Sequence, residues 1–439
     1  MAVLSSLFLL GLMLPAIWCL PILEDTADSS HSADTFYSAD SSYSADYDFF
    51  LPQKPGQCES NTYPPTPPNS RNVRWFVVDL DAPPEKRWGH VIKQFVKPLK
   101  GLTAHLDEIL TEEIRYRLGS YFPIKFFFWL LGKALPEPVY AEMDGMAKAV
   151  AQEGIDLNSL VSINVFYELT TACAAIVARK PKEEGGNLIH GRNLDFGFGL
   201  GTNPVTNQFI VAEYLRNLTI NVHFQRGGQT LYSATTYAGY VSVLNGVKKG
   251  KFSMSWNQRE TETTESAVKS IFSWVLGMRN GFPMAVVTRK LFEEANSYEE
   301  ARKYLESTPL LSPVYFIVGG VSGDEGCVIT RSAEQSLAPT TLASTNESWI
   351  LQTNYDHWTE APQWDDRRTP ANHCMMEKST GNSTISLAKL FDVLSTKPVL
   401  NLGTTFTSLM DVSSGKLETF SRTCQYPCSA GPATFQGWT

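Results

Sequence analysis

The chain has 439 residues, 43% hydrophobic and 19% charged, which is a globular composition with ample material for a core. A formal charge of -8 at pH 7 and a pI of about 5.5 argue against a nucleic-acid partner. The acidic balance suits low pH, where protonating carboxylates lessen repulsion from an anionic lipid surface.

Residues 1–20 read as a secretory signal peptide. Leu4 through Ile17 is almost wholly apolar, and Pro15-Ala16-Ile17-Trp18-Cys19 resembles a cleavage region. The apolar run is short for a membrane anchor. Residues 21–57 form a low-complexity spacer in which Thr26-Ala27-Asp28, Ser32-Ala33-Asp34, Ser38-Ala39-Asp40 and Ser44-Ala45-Asp46 recur every six residues. Without a glycine framework or a steady apolar face, this repeat predicts a disordered acidic segment, not a solenoid.

Residues 73–172 predict an initial strand, Val73–Leu80, followed mainly by helices. The run from Phe122 to Leu131 is strongly apolar but too short to span a bilayer. It predicts a buried helix, with a lipid-touching surface helix as the alternative. From Cys173 onward the pattern turns to strands. Ile220, Val222 and Phe224 share one face, and Phe252, Met254 and Trp256 alternate with polar residues. Helices follow over Ser266–Met278 and from Ser297, where Ser297-Tyr298-Glu299-Glu300 reads as a capping box. Strands return at Val314–Gly319, Cys327–Arg331 and Ile350–Asn354. A helix over Ser386–Ser395 then precedes a hairpin turning near Ser413-Ser414-Gly415. This order predicts an α+β fold of sheets covered by helices.

If Cys19 leaves with the leader, the remaining cysteines are Cys58, Cys173, Cys327, Cys374, Cys424 and Cys428. Six cysteines admit about fifteen full pairings. Cys424 and Cys428 are close enough for a local loop, and Cys327 lies in an apolar strand and is left free. With Cys173 reserved as a thiol, Cys58–Cys374 is the long-range candidate. An oxidising compartment permits such a bond. Asn217, Asn346 and Asn382 open Asn-x-Ser/Thr triplets, expected glycan acceptors on a secreted chain.

Cys173 interrupts the apolar stretch Ala172-Cys173-Ala174-Ala175-Ile176-Val177, and His190-Gly191-Arg192-Asn193-Leu194-Asp195 follows soon after. No metal-ligand spacing or cofactor motif accompanies them. A free thiol, with an ordinary pKa of about 8.5, needs a base or a cation to act as a nucleophile. His190 is one nearby base. The other arises if the chain is cut before Cys173, because the thiol and a new α-amine then share one residue. Arg192 is the candidate cation for the thiolate, and Asp195 the candidate partner for the amine. Three positions apart, they fall on opposite faces of a straight strand, so both reach Cys173 only if the segment turns near Asn193.

The segments His190–Phe196, Ala238-Gly239-Tyr240-Val241, Thr353-Asn354-Tyr355-Asp356-His357-Trp358, Asp365-Asp366-Arg367-Arg368-Thr369-Pro370-Ala371 and Ser395–Asn401 resemble those of acid ceramidases. N-acylethanolamine acid amidase is nearby, with bile-salt hydrolases and penicillin V acylases further off. The resemblance runs from about Cys58 to Cys428 and includes the positions of Cys58, Cys374, Cys424 and Cys428. It implies an αββα N-terminal nucleophile hydrolase made as a proenzyme and cut between Ala172 and Cys173. The products would be a mainly helical α subunit, 58–172, and a catalytic β subunit, 173–439, joined by a disulfide. It implies Cys173 as nucleophile, Arg192 and Asp195 as its electrostatic neighbours, Asn354 in the oxyanion hole and Arg367 as a further positioning charge. It implies no cofactor. The implied reaction is hydrolysis of ceramide to sphingosine and fatty acid in the lysosome, at a membrane surface and with a lipid-presenting activator protein as a plausible partner. The alternatives are an N-acylethanolamine amidase and a secreted lipid-binding protein without turnover. In one departure, a hydroxyl residue follows the cysteine in the family, whereas this chain has Ala174.

Overall fold

The computed structural model describes residues 57–67, 70–118, 124–169, 172–197, 200–259, 270–271, 273–345, 347–379, 384–425 and 428. The leader, nearly all of the spacer, Asn346, Asn382 and residues 266–269 of the Ser266–Met278 stretch lie outside them.

Strands β1 (Ser70–Asn72) and β2 (Arg74–Asp79) precede helices α1 (Gly89–Ile92), α2 (Val96–Leu118), α3 (Ile124–Ala134), α4 (Val139–Ala149) and α5 (Leu157–Leu169). Next come β3 (Ala172–Arg179), β4 (Leu188–Asp195), α6 (Ile210–Leu218), β5 (Thr219–Arg226), β6 (Gln229–Tyr237), β7 (Asn245–Lys248) and β8 (Phe252–Gln258). Helices α7 (Met284–Glu294) and α8 (Tyr298–Ser307) lead to β9 (Val314–Gly319), β10 (Gly326–Arg331), β11 (Thr340–Thr341) and β12 (Trp349–Gln352). Helices α9 (Arg368–Lys378) and α10 (Leu387–Ser395) precede the hairpin β13 (Thr404–Asp411) and β14 (Lys416–Arg422).

Among the described residues the strands form two sheets, a six-stranded one ordered β1-β14-β13-β4-β3-β12 and an eight-stranded one ordered β11-β10-β9-β8-β7-β6-β5-β2. The two pack face to face, and the alternation of β3 shows the layering. Ala174, Ile176 and Ala178 join a cluster with Phe391 and Leu394 of α10, while Ala175 and Val177 pack with Tyr315 and Ile317 of the other sheet. On β4 the strand leaves room for α10 only because residue 191 is glycine: a Cβ there would lie 2.8 Å from Leu394 and 2.9 Å from Leu390. Outside the eight-stranded sheet, Phe292 of α7 stacks on Tyr232 and Phe252. The result is the α+β, αββα sandwich that the sequence led us to expect.

The N-terminal helices are tied to this sandwich by a buried charge cluster. Glu142 of α4 accepts from Arg87 (2.8 Å), the Trp88 indole (2.6 Å) and Arg289 of α7 (2.8 and 3.1 Å). Helix α3 combines both readings of the aromatic run: Phe127, Phe128 and Leu131 are buried, whereas Phe126 and Trp129 are 38% and 44% exposed. Among the described residues no helix is long and apolar enough to cross a membrane. The Ser297 hydroxyl caps α8 by accepting from Glu300 N, but the Glu300 carboxylate turns back to Asn296 N, one residue short of a capping box. Disulfides join Cys58 to Cys374 and Cys424 to Cys428, and Cys327 is a buried free thiol. Asn217 is exposed, with its side chain between Arg71 and the Glu213 carbonyl.

Candidate active site

Cys173 stands second in β3, opposite Leu194 of β4, and is fully buried. Its sulfur accepts from Arg192 Nη2 at 2.9 Å. Arg192 is held by two carbonyls, Leu244 O at 2.5 Å and Trp256 O at 2.7 Å, so the fork points at the thiol from between the sheets. Burial pushes the Cys173 thiol up, and the charge and hydrogen bond of Arg192 offset only part of that rise.

Asp195 does not share that face. The β3–β4 register runs unbroken from Ala172↔Asp195 to Arg179↔Leu188, so the strand makes no turn at Asn193. The irregularity sits instead in β13, between Thr404 and Phe406. Asp195 therefore faces away from the thiol, where Thr404 Oγ1 (2.6 Å), Asn401 Nδ2 (3.1 Å) and Arg367 Nη1 (3.1 Å) donate to it. Burial pushes its carboxyl up, against the pull of Arg367, Thr404 and Asn401.

Arg367 links the two sides. It donates to Asp195, to both oxygens of Asp365 (2.5 and 2.6 Å) and, through Nη2, to Asn354 Oδ1 at 2.9 Å. The same Asn354 oxygen accepts from the backbone N–H of Cys173 at 2.7 Å, while Asn354 Nδ2 donates to Gln258 O at 2.8 Å. An arginine can only donate and a carbonyl can only accept, so the two neighbours together fix which end of the amide is oxygen. The strand expected through Asn354 stops at Gln352, and this departure from the sheet brings Asn354 to the nitrogen of Cys173. Asp195 thus reaches Cys173 through Arg367 and Asn354, on the nitrogen side of the residue. All four charged side chains are buried: Arg367 contacts both Asp195 and Asp365, whereas Arg192 contacts only the thiol and two carbonyls.

His190 is not the base. It lies opposite Val177, its ring nitrogens engage Ser253 Oγ (3.1 Å) and Ser255 Oγ (2.9 Å), and burial together with Arg192 lowers its pKa to about 3. Ala174 points to the helix layer, away from Cys173, so its methyl suits an apolar cluster and does not line the thiol. The sequence reading missed Asp365, Asn401 and Thr404 as site residues. The first two lie inside motifs already singled out, beside Arg367 and after Pro398, but their roles become visible only once β4, β13 and the 365–367 segment converge.

Comparison with known proteins gives two family matches. Residues 71–137 match the beta subunit of N-acylethanolamine-hydrolyzing acid amidase, and residues 173–373 match the linear amide C–N hydrolases of the choloylglycine hydrolase family. The second match begins at Cys173. A solved structure of the Caenorhabditis elegans N-acylethanolamine-hydrolyzing acid amidase ortholog is 32% identical and covers 55% of this chain and 93% of its own, with a TM-score of 0.45. Acid ceramidase of Mus musculus is 40% identical over 380 residues, covering 84% of this chain and 92% of the relative. That of Homo sapiens is 39% identical over 386 residues, with the same coverage. Identity at this level across nearly the whole of each relative decides the matter: this chain belongs to the acid ceramidase family.

Proposed function

We propose that this protein hydrolyses the amide bond of ceramide to a sphingoid base and a free fatty acid, through a thioester on Cys173. The observation that carries the proposal is the pairing at one residue: the Cys173 sulfur lies against Arg192, and its backbone nitrogen lies against Asn354. That nitrogen is the atom a cut between Ala172 and Cys173 turns into an α-amine, within reach of the sulfur that it must deprotonate.

Maturation and turnover then share their chemistry. In the precursor the Cys173 sulfur attacks the Ala172 carbonyl, the C–N bond breaks as the nitrogen takes a proton, and water hydrolyses the resulting thioester. The products are the α subunit, 58–172, and the β subunit, 173–439, which Cys58–Cys374 keeps joined. In the mature enzyme the α-amine takes the thiol proton as sulfur attacks the amide carbonyl of ceramide. Asn354 Nδ2 donates to the oxyanion, a contact whose loss typically costs about 10²–10³ in rate. The α-amine returns the proton to the leaving sphingoid nitrogen, and water releases the fatty acid. Arg192 stabilises the sulfur as charge develops, while Arg367 and Asp195 hold Asn354 and the amine in place.

A ceramide substrate puts the enzyme at a lipid surface, for which Phe126 and Trp129 offer exposed aromatics. It also fits a lysosomal location, with a lipid-presenting protein as partner. Glycans at Asn217, Asn346 and Asn382 belong to the same route through the secretory pathway. One observation favours a second reading, an N-acylethanolamine amidase: the match of residues 71–137 to the beta subunit of that enzyme. Purified protein at acid pH, offered both N-acylsphingosine and N-acylethanolamine, separates the two by which amine appears. Cys173→Ala is expected to stay uncut and inactive, and normal maturation of that variant would refute self-processing. Asn354→Ala is expected to lose turnover more than binding, and unchanged turnover would remove its oxyanion role.

A further inference from the structure

We propose that Arg259 and Asp356 are positioning residues for the amide of Asn354. The inference rests on the reading above that Asn354 donates to the oxyanion. Asn354 lies past the end of β12, which is the edge strand of its sheet among the described residues. Its nitrogen anchors to Gln258 O, at the last residue of β8 in the other sheet. Arg367 and the Cys173 N–H hold the oxygen end of this amide, and the hold of the end of β8 against residues 352–356 helps to place its nitrogen end.

Three successive cross-links do this. Asn257 Nδ2 donates to Gln352 O at 2.9 Å and Thr353 O at 3.3 Å. Asn354 Nδ2 meets Gln258 O in the middle. Arg259 closes the outer end with a two-pronged contact, Nε to Asp356 Oδ1 and Nη2 to Asp356 Oδ2, each at 2.8 Å. The donors and acceptors advance in step, so the outer pair bears directly on the register of the middle one. Both partners are themselves braced. Arg259 N donates to Pro313 O at 3.3 Å, extending the β8–β9 pairing, and Tyr315 of β9 donates to Asp356 Oδ1 at 2.6 Å. The side chains are 12% and 13% exposed, so solvent screens the pair only in part. A bidentate guanidinium–carboxylate pair fixes orientation as well as distance, which a lysine cannot reproduce.

The test is steady-state kinetics of ceramide hydrolysis on matured Arg259→Lys, Asp356→Asn and the double variant. A shift of about 1 Å at a reacting group costs on the order of 10²-fold, so loosening this brace is expected to lower kcat roughly tenfold. KM is expected to stay within about twofold if the pair acts on Asn354 and not on substrate. The double variant is expected to lose no more than either single one, since each breaks the same contact. Unchanged kcat in matured Asp356→Asn overturns the proposal, and so does a raised KM with kcat intact, which would make the pair a substrate contact. If Asp356→Asn does not fold, Tyr315→Phe removes one hydrogen bond to Asp356 and is expected to lower kcat about two- to threefold, with unchanged kcat again overturning it. Failure of the ceramide reading itself would show separately, as a wild-type enzyme that releases no sphingoid base.

Discussion

Replacing Arg192 with lysine tests how the nucleophile is held. Lysine keeps the positive charge but loses the planar fork that at present spans Leu244 O, Trp256 O and the Cys173 sulfur. A single ammonium cannot satisfy both carbonyls and still approach the thiol along the same line. A hydrogen bond to a charged group is worth about 1.5–3 kcal/mol. With about 1.36 kcal/mol per factor of ten, kcat/KM is expected to fall roughly 10- to 150-fold. The thiol should report the change directly. Burial raises its pKa and Arg192 lowers it, so weakening the Arg192 contact lets the pKa rise. The pH dependence of Cys173 alkylation by iodoacetamide in the mature enzyme is therefore expected to move to higher pH in Arg192→Lys. Superimposable alkylation curves together with unchanged kcat/KM would refute the assignment of Arg192 to the sulfur.

Glu142→Gln removes the carboxylate that Arg87 and Arg289 share, leaving Arg289 only Glu293, and breaking a buried pair from one side costs about 3–5 kcal/mol. At about 2.1 cal/mol/K per residue over roughly 340 described residues, thermal unfolding is expected about 4–7 °C lower. Burial alone would raise the Glu142 carboxyl, but Arg289, Arg87 and Trp88 outweigh it and hold it below the ordinary value of 4.5. Its contribution is thus fully present above that value and fades as pH falls through the depressed one. The gap between wild type and variant is expected to be constant near neutrality and to close only in strong acid; a gap that grows on acidification would contradict this. Cys58→Ser removes the described covalent link between 58–172 and 173–439, so the two chains of processed enzyme are expected to separate on a non-reducing denaturing gel, where wild type runs as one band. Co-migration of the variant's chains would show a different linkage.

Strand alternation in Ile220–Val222–Phe224 and Phe252–Met254–Trp256, the helix over Ser386–Ser395 and the Ser413–Gly415 turn were all legible because each is a local pattern, set by residues that touch within a few positions. The same held for the central chemistry. A thiol in an apolar strand, with Arg192 and Asp195 a short distance on, already offered the proposed nucleophile and its charged partners, and the resemblance extended the list to Asn354 and Arg367. The sequence by itself thus determined which groups are available, and that the fold is α+β.

Their arrangement was a tertiary decision. Strand geometry said that Arg192 and Asp195 lie on opposite faces, but not what each meets there, Arg192 the thiol between the sheets and Asp195 the donors Arg367, Asn401 and Thr404. The connection between them runs through Arg367 and Asn354, which arrive from positions more than 150 residues further along the chain. Asp365, Asn401 and Thr404 entered the site for the same reason. A buried carboxylate needs donors, and which donors reach it depends on where β13 and the 365–367 segment pack, information that no local period carries. His190 was excluded by the same packing, which seals its ring between Ser253 and Ser255 of the facing sheet.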